Sequence, residues 1–341
     1  MPGVVFFGKT ASPRDDSLSE VAAGGAELTA GAAAPICTAT ELTRSYPAAP
    51  RPAVCSVSLA VRPGEVFGVL GRNGAGKTTL VRLLVGLLRP DSGSVRLAGA
   101  DVTAQAARAA AHLAYLPQSE SALADMTVRA AVETTARLRG LARGQARARS
   151  DDLLAELGIT ELAARRVARL SGGQRRLVGV ATALVGDRPL LVLDEPTTGL
   201  DMDARRTVWA AVDRRRTESG ASVILVTHDV REAETVLDRV LILSAGQAVA
   251  CDTPGRLKQG LGGLVRLELA WRDEPPLSPR DLAGPVRTRG RRWSLRLPIE
   301  QAREVLDEVM SGPAYAALDD FTLAPPSLED VLLAGDAEAD R

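Results

Sequence analysis

The chain has 341 residues, long enough for one large or two modest domains with a sizeable core. Its 42 Lys and Arg balance 42 Asp and Glu, so no whole-chain field calls for nucleic acid or an acidic membrane as partner. Cys37, Cys55 and Cys251 are scattered and form neither a disulfide framework nor a CxxC pair; they read as buried small hydrophobes of a reducing compartment. No window approaches about 18 uninterrupted apolar residues, so nothing is expected to span a bilayer, and any membrane role is expected through a partner. Val4 to Phe7 is apolar but follows no basic stretch, which makes a poor signal peptide.

Residues 1–34 mix Gly, Ala, Ser and acids without a sustained period and are expected to be disordered, with order beginning near Ile36. Val54–Val61 and Glu65–Leu70 read as two strands joined by a turn at 62–64. The second strand feeds Gly71 to Thr79, GRNGAGKTT, which fits GxxxxGK[ST] between an apolar strand and an apolar-periodic helix over Leu80–Leu88. Gly71, Gly74 and Gly76 let the backbone approach a ligand and aim N–H groups inward, while the helix adds its partly positive N-terminus. That is a polyphosphate cradle, in which Lys77 reaches the β and γ phosphates and the Thr78 hydroxyl ligates Mg²⁺. Lysine is nearly absent beside arginine, which makes the placement of Lys77 harder to dismiss. Upstream, Tyr46 is read either as an aromatic that stacks on adenine or as strand-edge packing on the core.

A turn at 91–94, a strand over Val95–Ala98 and a short apolar run from His112 to Leu116 follow, the last ending at Pro117 and Gln118. Residues 126–170 turn helical, with breaks at Gly140, Gly144 and Gly158. The arginines at 137, 139, 143, 147 and 149 read as a solvated face, with a docking surface as the sharper alternative. Leu170 to Gln174, LSGGQ, precedes the apolar-periodic segment Leu177–Leu184; Ser171 stands at an N-cap position, and two glycines beside it expose backbone N–H groups, a second possible phosphate site. Leu190 to Glu195 is a buried-strand pattern ending in paired carboxylates, where open α/β sheets place ligands. Asp194 suits Mg²⁺, and Glu195 suits orienting or deprotonating an attacking water. A turn at Gly199–Asp201, a helix over Ala204–Arg216 and a strand over Val223–Thr227 ending at His228 come next, then a helix and a strand over Val240–Leu243. The alternation is that of an α/β fold and ends near Gly260.

These motifs together resemble the nucleotide-binding subunit of an ABC transporter over about Ile36 to Lys258. GRNGAGKTT is similar to the Walker A loop, Gln118 to the Q-loop glutamine, LSGGQ to the family signature, LLVLDEP to Walker B with its catalytic glutamate, GLD to the D-loop, and His228 to the switch histidine. The resemblance implies a P-loop NTPase cassette with a RecA-like core, an antiparallel β-subdomain and a helical subdomain at about 119–170, within a domain over 35–260. It implies Tyr46, Gly71, Asn73, Gly74, Ala75, Gly76, Lys77, Thr78, Thr79, Gln118, Ser171, Gly173 and Gln174 at the nucleotide, Thr78, Gln118 and Asp194 at Mg²⁺, and Lys77, Glu195 and His228 in hydrolysis. It further implies a head-to-tail homodimer with two ATP molecules in the interface, each held by Lys77 of one chain and capped by Ser171 and Gly173 of the other. Met202, where the family commonly has proline, and Ala130, where it often has glutamate, depart from the pattern without touching the inferred chemistry.

Beyond Gly260, strands over Leu264–Leu269, Trp293–Leu297 and Phe321–Leu323 and a helix face from Ile299 to Val309 suggest a small α+β domain at 261–341, read most simply as a dimer-stabilising cap. Ser327 and Asp330 are placed like a capping pair. The segment SLEDVLLAG resembles the tail of daunorubicin-resistance-type exporter ATPases, which pair with an ABC-2 type permease. An exporter subunit on the cytoplasmic side of the membrane, with a separate integral membrane permease, is the reading; an importer ATPase and a soluble ABC ATPase without a permease are the alternatives. A single Walker A loop argues against the two-cassette ribosome-acting type. The short distance from Lys77 to Ser171 leaves no room for the coiled coil of the DNA-acting type, so no nucleic acid partner is expected.

Overall fold

The computed structural model describes residues 33–47, 49–118, 123–261, 263–274 and 286–339. The disorder expected of residues 1–34 therefore falls almost wholly outside the described residues, as does the start of the helical segment at 119–122. The chain divides into two compact units, with the boundary between Cys251 and Asp252.

In the first unit the strands are β1 (Cys37–Arg44), β2 (Val54–Val61), β3 (Val66–Leu70), β4 (Ser92–Leu97), β5 (Ala100–Asp101), β6 (Leu113–Leu116), β7 (Leu190–Asp194), β8 (Ser222–Val226), β9 (Arg239–Ser244) and β10 (Gln247–Asp252), the last ending at the boundary. The helices are α1 (Lys77–Leu84), α2 (Ala106–Ala110), α3 (Val128–Leu138), α4 (Arg143–Glu156), α5 (Gly172–Leu184), α6 (Met202–Ser219) and α7 (Val230–Val236). One sheet has the order β2-β1-β4-β5 and is antiparallel; the other has the order β10-β9-β3-β8-β7-β6, with β9, β3, β8, β7 and β6 parallel. Every residue of β3, β7 and β8 is buried, which is why they are apolar apart from Asp194 at the end of β7 and Ser222 at the start of β8: a parallel sheet covered on both faces leaves no solvent side between the strand ends.

One apolar cluster joins Leu42, Val57 and Val95 of the antiparallel sheet to Phe67, Val192 and Ile224 of the parallel sheet, with Leu80, Val81 and Leu84 of α1 between them. The residues that follow the phosphate-loop lysine thus fill the core, and the loop is anchored at both ends. Helices α3 and α4, with two short 3-10 turns at Thr160–Leu162 and Val167–Arg169, form the helical subdomain before α5. Val128, Val132, Leu153 and Leu154 are its buried face. Arg139 does not belong to a solvated face: it is partly buried, its Nη1 donates to the carbonyls of Ala183 and Val185, and burial beside Arg188 lowers its pKa to about 10. Arg137, Arg143 and Arg147 are exposed.

The second unit holds α8 (Pro254–Gln259), β11 (Leu264–Trp271), β12 (Val286–Arg289), β13 (Arg292–Pro298), α9 (Ile299–Ser311), β14 (Leu318–Ala324) and α10 (Leu328–Ala339). Its sheet is antiparallel with the order β12-β13-β11-β14. Leu267, Leu269, Leu295 and Leu297 alternate onto the face covered by Ala302, Val305 and Val309 of α9, and Trp271 meets Trp293 edge-on with centroids 5.3 Å apart. Ser327 and Asp330 cap α10 reciprocally: Ser327 N donates to Asp330 Oδ2 at 2.8 Å and Asp330 N to Ser327 Oγ at 3.3 Å. Arg296 of β13 pairs with the buried Asp330 at 2.7 Å, so the tail motif is fastened by charge as well as by its buried Leu328 and Val331. No helix of the described residues is long and apolar enough to cross a membrane.

Candidate active site

Four strands that lie side by side, β3, β8, β7 and β6, deliver loops from their carboxyl ends: Gly71–Thr79, Thr227–His228, Asp194–Glu195 and Pro117–Gln118. This is the edge at which open α/β sheets bind ligands. At Gly71 an added Cβ would stand 2.3 Å from Leu243 O, and at Gly76, with φ of 101°, 2.1 Å from Ala53 O, so neither position admits a side chain. Gly76 is also the N-cap of α1 and offers no side chain to its first-turn N–H groups, which remain available to an anion. Asn73 and Gly74 are exposed at the loop tip, while Ala75 is buried and its carbonyl accepts from Gly246 N at 3.0 Å.

Lys77 Nζ donates to Gly71 O at 2.7 Å and Arg72 O at 3.1 Å, so the ammonium is folded over the loop by its carbonyls. Burial lowers its pKa, and Glu195 and Asp194 oppose that shift, which sets all three charges in one electrostatic cluster. Thr78 and Thr79 occupy the first turn of α1, partly buried. Tyr46 is 37% exposed rather than packed in the core; its hydroxyl is 3.5 Å from Thr79 Oγ1 and Arg44 lies over its ring at 5.6 Å. Tyr46 thus stands between Arg44 at the end of β1 and Thr79 of the phosphate-loop helix.

Asp194 is 3% exposed, and its Oδ2 has no hydrogen-bond partner. Burial and the neighbouring Glu195 push its pKa up to about 6, against the opposing charges of Arg176, Lys77 and Arg82. The orphaned carboxylate oxygen of Asp194, the hydroxyl of Thr78 at the start of α1 and the exposed amide of Gln118 after β6 are hard oxygen donors of the kind that suits Mg²⁺. No cluster of three His, Cys, Asp or Glu that could enclose a metal occurs among the described residues.

Glu195 is held from every side. Its Oε1 accepts from His228 N at 3.0 Å and lies 2.6 Å from His228 Nδ1; its Oε2 accepts from Thr198 Oγ1 at 3.1 Å and Thr227 Oγ1 at 3.5 Å. Its backbone has φ of 56°, a left-handed conformation that non-glycine residues adopt only when the surroundings impose it. His228 is in turn braced through its own segment: Arg205 of α6 pairs with Asp229 at 3.0 Å, and Glu232 of α7 accepts from Thr197 at 2.7 Å and Trp209 at 2.5 Å.

Ser171 caps α5, with Ser171 Oγ accepting from Gln174 N at 3.2 Å and Gln174 Oε1 from Ser171 N at 3.1 Å. Gly173 lies against the carbonyl of Gly199, where an added Cβ would be 3.0 Å away. The side-chain hydrogen bonds of Ser171 and Gln174 run to each other, and Gly173 packs against the turn before α6. The sequence reading missed Thr198, Thr227 and Arg176, which contact the acids, and Glu232 and Trp209, which link the Thr197 turn to α6 and α7; none of the five left a local signal in the sequence.

The raised pKa of Asp194 has a sign that can be checked in the nucleotide-free protein. Above about pH 6 the fold holds an ionised carboxylate that it disfavours, and below the ordinary carboxylate range it does not, so stability from this group is lost as pH rises through 6. Asp194→Asn is therefore expected to raise Tm at pH 7.5, with the gap closing as pH falls from 6 toward 4. A variant that melts below the wild type at pH 7.5 would contradict it.

A family model described as ABC transporter matches residues 54–198, and one described as ABC transporter C-terminal domain matches residues 264–325. The daunorubicin resistance ATP-binding protein DrrA3 of Streptomyces coeruleorubidus is 36% identical over 287 residues, 82% of this chain and 90% of that protein. The Nod factor export ATP-binding protein I of Rhizobium etli is 35% identical over 287 residues, 82% of this chain and 87% of that protein. A solved structure of an ATP binding subunit of an ABC transporter superposes with a TM-score of 0.63 at 26% identity, covering 67% of this chain and 93% of its own. With likeness of this degree over nearly the whole length of its relatives, the chain belongs to the ABC transporter family as an ATP-binding, ATP-hydrolysing subunit of the daunorubicin-resistance and Nod-factor-export type.

Proposed function

We propose that the chain powers export: two copies close head to tail around two ATP molecules and drive a separate integral membrane permease of the ABC-2 type. The cargo is a drug, an antibiotic or a lipid-like compound. The observation that carries the catalytic part is the convergence of Lys77, Asp194, Glu195 and His228 at adjacent strand ends while Ser171 and Gly173 make their contacts elsewhere. A site whose capping loop does not engage its own phosphate loop calls for a second copy. Export is supported by the relatives named for drug resistance and Nod factor export and by the matched C-terminal domain. With no membrane-crossing helix among the described residues, a peripheral place on the cytoplasmic side, through the permease, is the fitting location.

The parts act as follows. The loop N–H groups and Lys77 take the β and γ phosphates, the lysine exchanging its bonds to Gly71 O and Arg72 O for phosphate oxygens. Asn73, Gly74, Ala75 and Gly76 shape the cradle, and the exposed ring of Tyr46 stacks on the base. Thr78, Asp194 and Gln118 would hold Mg²⁺, which when bound neutralises charge on the phosphates. Glu195, its carboxylate aimed by His228, Thr198 and Thr227, orients the attacking water and accepts its proton. Phosphoryl transfer asks mainly for positioning and charge, which these groups supply. Ser171, Gly173 and Gln174 of the second copy close over the γ-phosphate, so its loss releases the closed state.

Glu195→Gln is expected to bind ATP, to lose hydrolysis by about 100-fold or more, and to accumulate as an ATP-bound dimer on gel filtration. A monomer in Mg-ATP beside normal turnover by the wild type would remove Glu195 from this role. The export reading is checked by co-purification from membranes: the chain is expected to come with an integral membrane protein encoded next to it. An adjacent substrate-binding lipoprotein with an importer permease would overturn that reading.

A further inference from the structure

Helix α5 begins with the capping loop Ser171–Gln174 and carries Arg176 in its next turn. That arginine is 9% exposed, and its guanidinium donates to three backbone carbonyls: Pro117 O from Nη1 at 2.7 Å, Glu195 O from Nε at 3.0 Å, and Asp194 O from Nη2. A buried guanidinium is expensive unless it is hydrogen-bonded, and here its charge also favours the ionised form of Asp194. Pro117 is the residue before Gln118, at the end of β6. Asp194 and Glu195 are the two acids at the end of β7. One side chain thus grips the helix of the capping loop, the approach to Gln118 and both acids.

The grip falls where the backbone most needs it. Glu195 sits in the left-handed region, and its peptide groups are fixed on both sides, its N–H by Val226 O at 2.8 Å and its carbonyl by Arg176. That conformation turns the carboxylate toward His228. A rigid fork with donors in fixed directions can satisfy three carbonyls at once; an ammonium on a flexible stem cannot hold the same geometry.

We infer that Arg176 is a positioning residue that ties the movement of the Ser171–Gln174 loop to the placement of Glu195 and Gln118 in the same chain. The inference rests on the composite-site reading. Because that loop closes over nucleotide held by a second copy, α5 and Arg176 carry the closure of one site to the carboxylate of the other. Hydrolysis in the two sites is then coupled through a buried side chain that holds the backbone of both acids.

The test compares the full-length wild type, Arg176→Lys, Arg176→Gln and Glu195→Gln. Arg176→Lys keeps the charge and loses the fork, and is expected to lower kcat about 10- to 100-fold while the Kd for Mg-ATP stays within about threefold. Like Glu195→Gln, it is expected to accumulate as an ATP-bound dimer, since capping is intact and hydrolysis is not. A role in folding alone would instead lower kcat, nucleotide binding and thermal stability together. That pattern in both substitutions would overturn the inference, as would wild-type kcat in Arg176→Lys. A wild type that neither hydrolyses ATP nor dimerises with it would overturn the composite-site reading itself, which separates the two failures.

Discussion

Two neighbouring carboxylates, Asp194 and Glu195, are buried at the carboxyl end of β7, and much of the surrounding structure exists to make that tolerable. Like charges taken out of water raise each other's pKa unless opposite charge and hydrogen bonds answer them. Glu195 is hydrogen-bonded by His228, Thr198 and Thr227. Asp194 is answered in part, by the fields of Arg176 and Lys77, and retains an unbonded oxygen and a pKa of about 6. That asymmetry divides the labour: one acid is pre-set in direction, and the other is left open to a cation.

The same economy runs through the loops around the pair. The parallel order β3-β8-β7-β6 sets the phosphate loop, the histidine, the acids and Gln118 along one edge. Each is then braced by a residue remote in sequence. Glu232 joins Thr197 to Trp209, Arg205 holds Asp229, and Arg176 holds the acids from behind. Helix α6, which starts at the GLD turn, therefore reaches His228 through two polar links, and α5 reaches Glu195 through one. Segments expected to move when nucleotide binds are connected by hydrogen bonds rather than by apolar packing alone.

What was legible in the sequence was whatever a local pattern specifies. Apolar runs identified β3, β7 and β8, glycines at 71, 74 and 76 identified the cradle, and Ser171 was visible as a cap. Strand β1 was not visible, because bulges between Ala39 and Leu42 and between Leu42 and Arg44 break its alternation. The turn read at 91–94 is instead the start of β4: Gly93, with φ of 86°, lets the strand come so near β1 that a Cβ would sit 2.4 Å from Thr40 O. Strand β10 depends on the hairpin at Ala245–Gly246, both in the left-handed region, a signal that AG carries less clearly than NG. Arg139 and Arg176 looked like surface charges or gave no signal of role, since their partners are backbone carbonyls, distant in sequence, that composition cannot reveal.

The central claim is that one chain supplies half of each site, with Lys77 and Ser171 serving different nucleotides. A cross-link between unlike chains tests it most directly: Asn73→Cys in one tagged chain and Ser171→Cys in another, both carrying Glu195→Gln, mixed and oxidised with and without Mg-ATP. The account predicts a disulfide between the two different chains that forms only with Mg-ATP. Absence of that inter-chain bond under conditions in which both chains bind ATP would contradict it.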